Sequence, residues 1–90
     1  MPLYVISYDL RKARNYEPLL KILRDWGCAR VLESLWLGEL RGPAGTILEL
    51  LKAKVDADDG LVVLELRPNF DWAYKKIQAV GANWIKTKSP

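Results

Sequence analysis

Leu3-Tyr4-Val5-Ile6-Ser7-Tyr8-Asp9-Leu10 is the stretch that decides the fold. Residues 3 to 8 are rich in β-branched and aromatic side chains and carry no charge, which reads as a strand buried on both faces. Asp9 ends the run, and Arg11, Lys12 and Arg14 follow at once. A candidate metal ligand therefore stands beside a candidate phosphate-binding loop.

Downstream of that loop the period changes. Asn15 is a candidate N-cap and Pro18 falls in a first turn, where its missing N–H is tolerated. Tyr16, Leu19, Leu20, Leu23 and Trp26 recur at helical spacing and form one apolar face, with Lys21, Arg24 and Asp25 outward. Gly27 is placed to end the helix in a left-handed cap. From Cys28 to Leu40 the pattern reads as two short strands turning near Glu33-Ser34, or as one long bulged strand. Arg41 to Gly45 is a loop by composition, and Thr46 with Glu49 has the spacing of a capping box. That box opens a second helix whose buried face is Ile47, Leu48, Leu51 and Val55, with Leu50 at its margin.

Asp56-Ala57-Asp58-Asp59-Gly60 stops the second helix. Its acids do not follow the calcium-loop pattern, which needs glycine at the sixth position where this run has it fifth. Leu61 to Leu66 is a strand ended by Arg67-Pro68-Asn69. Phe70 to Val80 is predicted as a short helix stopped by Gly81, and Asn83-Trp84-Ile85 as a last short strand or a docking segment. The order strand, helix, strand, strand, helix, strand predicts an α+β fold. It is a ferredoxin-like βαββαβ sandwich in a single domain, residues 1–90, with a C-terminal extension. A sheet with both helices on one face leaves the other face bare. Trp36, Trp72, Trp84 and several leucines need cover, which predicts a homodimer through that face or its edges.

Composition narrows the chemistry. The chain is 50% hydrophobic and 28% charged, as soluble domains are, and no apolar run approaches the roughly 20 residues that span a bilayer. Met1-Pro2 leads directly into a strand pattern without the basic and apolar regions of a signal peptide, and Cys28 is alone; both favour the cytoplasm. The net charge of +3 is a weak polyanion signal. The cations gather, however, at Arg11, Lys12 and Arg14, and again from Arg67 onward at Lys75, Lys76, Lys86 and Lys88. With no histidine, imidazole triads, proton shuttles and zinc–imidazole sites are excluded, and Cys28 has no base to activate it. Neither a G-x-G-x-x-G nor a G-x-x-x-x-G-K-[ST] motif occurs. Carboxylate-supported magnesium chemistry survives, with Asp9 as ligand and a second Asp9 supplied across the axis of a symmetric dimer; the alternative is that Asp9 ties down its own turn. Leu61 to Leu66 holds no aromatic residue, which argues against bases stacking on the sheet.

Three segments together resemble a known family. Tyr8-Asp9-Leu10, Ala29-Arg30-Val31-Leu32-Glu33-Ser34-Leu35-Trp36 and Asp56 to Leu66 follow one another as in the CRISPR-associated Cas-two proteins and their Cas-two-like relatives. The likeness spans residues 3 to 66. It implies a ferredoxin-like homodimer that binds RNA or DNA. One implied activity is magnesium-dependent endonuclease cleavage; another implied role is the non-catalytic scaffold of a CRISPR spacer-acquisition complex, partnered by an integrase. Asp9 takes the position of the family's metal ligand, and the Arg-x-x-x-Ser element falls on Arg30 and Ser34. On this reading Asp9 and Ser34 are catalytic, while Arg11, Lys12, Arg14 and Arg30 contact phosphates. Leu35-Trp36, where the family usually has Phe, and the tail around Trp72 and Trp84 lie nearer the Cas-two-like offshoot. The competing expectations are a DNA-binding scaffold without chemistry and a homodimeric protein-interaction module.

Overall fold

Four strands and three helices form in the order β1 (Leu3–Asp9), α1 (Glu17–Asp25), β2 (Ala29–Leu32), β3 (Leu35–Glu39), α2 (Ala44–Lys52), β4 (Gly60–Leu66) and α3 (Ala79–Lys88). The structure is a computed structural model and describes residues 2–9 and 16–89. β1 sits inside one sheet of order β2-β3-β1-β4, in which every neighbouring pair is antiparallel. This α+β arrangement, βαββαβ with a closing helix, is compatible with the ferredoxin-like layout.

The period-2 alternation of β1 divides its side chains between two clusters. Tyr4 and Ile6 turn toward α1 and α2, where they meet Leu19, Leu23, Trp36, Leu40, Ile47 and Leu51. Ile6, Leu19, Leu23 and Leu51 are fully buried. Each such side chain contributes roughly 1.5–3 kcal/mol relative to exposure. Val5, on the other face, packs with Val31, Leu35, Leu37, Leu66 and Ile85.

α1 buries Leu19 and Leu23 and packs Leu20 and Trp26 on the core as predicted, but Tyr16, expected on the same face, is exposed; the helix ends as expected, with Gly27 at φ 74°. The candidate cap Asn15 lies outside the described residues; Tyr16 holds the cap position and makes no side-chain capping bond. β2 and β3 are two strands rather than one, joined by a turn at Glu33-Ser34, with a bulge between Arg30 and Leu32. The capping box does not form. The Pro43 carbonyl accepts the amides of Thr46 (3.0 Å) and Ile47 (3.2 Å), so α2 starts at Ala44 and Thr46 is already inside its first turn.

The predicted strand at Leu61 to Leu66 forms as β4, but the segment after it overturns the local expectations. Residues 70–78 form no helix; Asn69 (φ 63°) just before them and Lys76 (φ 55°) within them take left-handed backbone, which a right-handed helix cannot contain. The helix begins at Ala79, runs through Gly81 and takes in Asn83-Trp84-Ile85, so no last strand exists there. Gly81 does not stop the helix. A Cβ at that position would lie 2.8 Å from the Val31 Cα and 2.9 Å from its Cγ2, so the missing side chain lets α3 lie directly on β2.

The far face of the sheet is consequently not bare. α3 and the segment before it cover the β2–β3 half, with Phe70, Ile77 and Trp84 packed on that cluster. The Gln78 amide donates to the Val31 carbonyl at 3.0 Å, and Lys88 pairs with Glu39 at 3.0 Å. Ser89 fastens the far end: its hydroxyl donates to the Phe70 carbonyl and its own carbonyl accepts the Trp72 indole N–H, each at 2.6 Å. The β4 half stays open, leaving Val62 and Leu64 exposed at 44% and 55%. No helix among the described residues is long and apolar enough to cross a membrane.

Candidate functional site

The end of β1 is tied to the β2–β3 turn by main chain and side chain alike. The Tyr8 amide donates to the Ser34 carbonyl at 3.1 Å. The Tyr8 hydroxyl donates to the Glu33 carbonyl at 2.9 Å and accepts the Trp36 indole N–H at 3.1 Å. Trp36 is a core residue, so this hydroxyl links the buried cluster to the turn.

Arg30 converges on the same carbonyl. Its Nε and Nη2 donate to Glu33 O at 3.2 and 2.7 Å, and its guanidinium carbon lies 5.5 Å from the centre of the Trp36 ring. A guanidinium carries five N–H donors, so three remain beyond these two bonds, on a fork whose plane is already fixed. Ordering that long side chain in advance lowers the entropy lost when it meets an anion.

Tyr8, Asp9, Tyr16, Leu20, Arg30, Glu33 and Ser34 line one cavity of about 180 Å³. Three sequence-predicted residues, Asp9, Arg30 and Ser34, are thus brought together from β1, β2 and the turn. Arg11, Lys12 and Arg14 lie outside the described residues. The two described residues that bracket them in sequence, Asp9 and Tyr16, both line the cavity. Sequence reading missed Tyr8, Tyr16, Leu20 and Glu33 as wall residues. Tyr16 was read as part of the apolar face of α1, and Glu33 carried no signal until the turn was placed.

The second basic cluster does not join this site. Lys88 is paired with Glu39, Lys86 lies 5.9 Å from the Tyr74 ring centre, and none of Arg67, Lys75, Lys76, Lys86 and Lys88 lines the cavity. A larger groove of about 300 Å³ between Trp26, Leu40, Ile47 and Leu50 lies near the opposite end of β1, where Leu3 pairs with Glu39; Glu39 and Arg41 are its charged residues. Cys28 packs against the core over Gly38, and burial pushes its thiol up to about 11, which disfavours the nucleophilic thiolate.

Among the described residues no group of three acidic or cysteine side chains gathers to hold a metal. Two acidic residues, Asp9 and Glu33, are among those that line the cavity. That is the one-or-two-carboxylate set magnesium takes when water and substrate phosphate complete its shell, and it does not make an all-protein cage. No family model matches the chain, and no solved structure matches it.

Proposed function

We propose that this chain is a homodimeric, nucleic-acid-binding protein of the Cas-two-like kind that grips phosphates at the end of β1. One observation carries the reading: Asp9, Arg30 and Ser34 line a single cavity, bounded by the two residues between which Arg11, Lys12 and Arg14 fall in sequence. Arg30 offers a pre-set fork to a phosphate, the Ser34 hydroxyl donates to a further phosphate oxygen, and the basic segment supplies charge. Self-association uses the half of the sheet that α3 leaves open, where Val62 and Leu64 are exposed.

The test is fluorescence anisotropy with labelled single-stranded RNA and duplex DNA over a salt series. Each neutralised phosphate contributes about 0.7–0.9 to the slope of log affinity against log salt, so replacing Arg11, Lys12 and Arg14 by Ala lowers the slope by about 2–3. An unchanged slope and affinity would overturn the reading, and light scattering on Leu64→Lys reports separately on the dimer.

A second reading, hydrolysis, is favoured by the paired presence of Asp9 and Glu33 in the cavity. Magnesium bound there with a substrate phosphate would supply Lewis-acid polarisation of the phosphodiester. Asp9 and Glu33 would hold the ion, Arg30 would fix the phosphate, and Ser34 would orient a phosphate oxygen or water. Cleavage of labelled strands by wild type but not by Asp9→Asn, abolished by EDTA, supports it. Equal cleavage by both variants, or none by either, removes it and leaves a binding scaffold, the role that the likeness to spacer-acquisition subunits also favours.

A further inference from the structure

The cavity walls match more than a phosphate. Tyr16, 43% exposed, and Leu20 are aromatic and apolar wall residues, Arg30 and Ser34 are donor-bearing ones, and Glu33 and Asp9 are acidic ones. At about 180 Å³ the space is below the roughly 300–1,000 Å³ of pockets for drug-sized ligands, and suits one planar heterocycle. A phosphate needs donors alone, so acidic and aromatic walls add nothing to its recognition. Among the bases, guanine has two adjacent acceptors (O6 and N7) that fit an arginine fork and two adjacent donors (N1–H and N2–H) that fit a carboxylate. No other base presents both adjacent pairs.

We infer that this cavity takes an unpaired guanine base, stacked on Tyr16, with Arg30 donating to its acceptor edge and the Glu33 carboxylate accepting from its donor edge. The inference rests on the nucleic-acid-binding reading above, but moves the Arg30 fork and the Glu33 carboxylate from phosphate and ion to the base, leaving the phosphate to Ser34 and the basic segment. Arg30 suits the part because Trp36 supports its guanidinium on one side and Glu33 O fixes its rotation. The donors beyond those two bonds are held in place before the base arrives. Glu33 sits in a turn that the Tyr8 amide and hydroxyl hold in place, so its carboxylate starts from a fixed backbone. Stacking a splayed base on an exposed aromatic while reading its edge is the usual route to sequence preference on single strands.

The experiment compares short oligouridine strands carrying one central guanosine or one adenosine, by fluorescence anisotropy at about 0.1 M salt. GMP and AMP serve as competitors, which separates a base within a strand from a free nucleotide. The wild type favours guanosine by at least about fivefold, the lower end of what a bidentate base contact discriminates. Arg30→Lys keeps the charge and loses the preference. Glu33→Gln, at an exposed turn position, does the same without touching the core, and Tyr16→Ala weakens guanosine binding about fivefold or more. Equal affinity for the two strands and the two nucleotides, or a preference that survives both Arg30→Lys and Glu33→Gln, overturns the inference. Strand binding without base preference would leave the proposed function standing, whereas no binding of any strand overturns both.

Discussion

Substituting Gly81 by Ala sets two measurable effects against each other. Ala is the better helix former by about 0.5–1 kcal/mol in a helix interior, and Gly81 lies in the first turn of α3, where the gain is smaller. The new methyl would stand 2.8 Å from the Val31 Cα and 2.9 Å from its Cγ2, closer than side-chain carbons approach one another. The nearest atom is the backbone of Val31, at the bulge of β2, and its carbonyl already accepts the Gln78 amide at 3.0 Å, so the strain falls on the contact between α3 and β2 itself. Overpacking of this kind costs about 1–3 kcal/mol. The net is a loss of about 1–2 kcal/mol, and a domain of this size loses about 4–8 °C of Tm per kcal/mol. Gly45→Ala is the control, since a Cβ there meets nothing within 4 Å and the residue also lies in a first helical turn. Thermal melts followed by circular dichroism should show Gly45→Ala at or above wild type and Gly81→Ala well below it. Equal shifts of the same sign would refute the claim that the close helix-on-strand contact is what requires glycine at 81.

Tyr8→Phe removes a hydroxyl that donates to Glu33 O and accepts from the Trp36 indole, stranding an N–H on a buried ring; denaturant melts should show a loss of about 1–3 kcal/mol. Cys28, with its thiol pushed up to about 11 by burial, should react slowly with a thiol-specific disulfide reagent at pH 8 and rapidly once the chain is denatured; rapid native labelling would contradict its packing. The hydrogen bond and charge of Lys88 hold the Glu39 carboxyl below its ordinary value of 4.5. Its stabilisation is therefore fully present above pH 4.5 and fades as pH falls through the lower folded value. Thermal melts should place Glu39→Gln below wild type at pH 7, with the gap closing in acid; a gap independent of pH would assign it to packing instead.

The strands and the first helix were legible because their periods were clean and their neighbours local. Tyr4 and Ile6 alternate as a buried strand must, and Leu19 and Leu23 recur one turn apart above Gly27. Asp9 stood out as a carboxylate at a strand end, whereas Arg30 and Ser34 were picked out only by the likeness of their segment to a known family; that the three line one cavity follows from a sheet order that places β1 beside β3. What failed was the tail. Phe70-Asp71-Trp72-Ala73-Tyr74 looked helical by composition, yet those aromatics serve a contact with Ser89 and with the second cluster that no local period encodes. Gly81 illustrates why: an end-of-helix glycine and a close-approach glycine are the same letter, and only β2, fifty residues earlier in the chain, distinguishes them. Thr46 failed for a similar reason, because Pro43 supplied the first turn with a carbonyl acceptor before the hydroxyl was needed.

Because α3 shelters only half of its face, β4 is left as an outermost strand whose two bare aliphatic side chains flank Val63. Such a border is sticky toward any extended chain, so a crowded solution of this domain is poised to recruit further strands there. Lysine at position 64 would blunt that tendency, and concentrated preparations of that variant should stay clear under conditions where the parent turns cloudy.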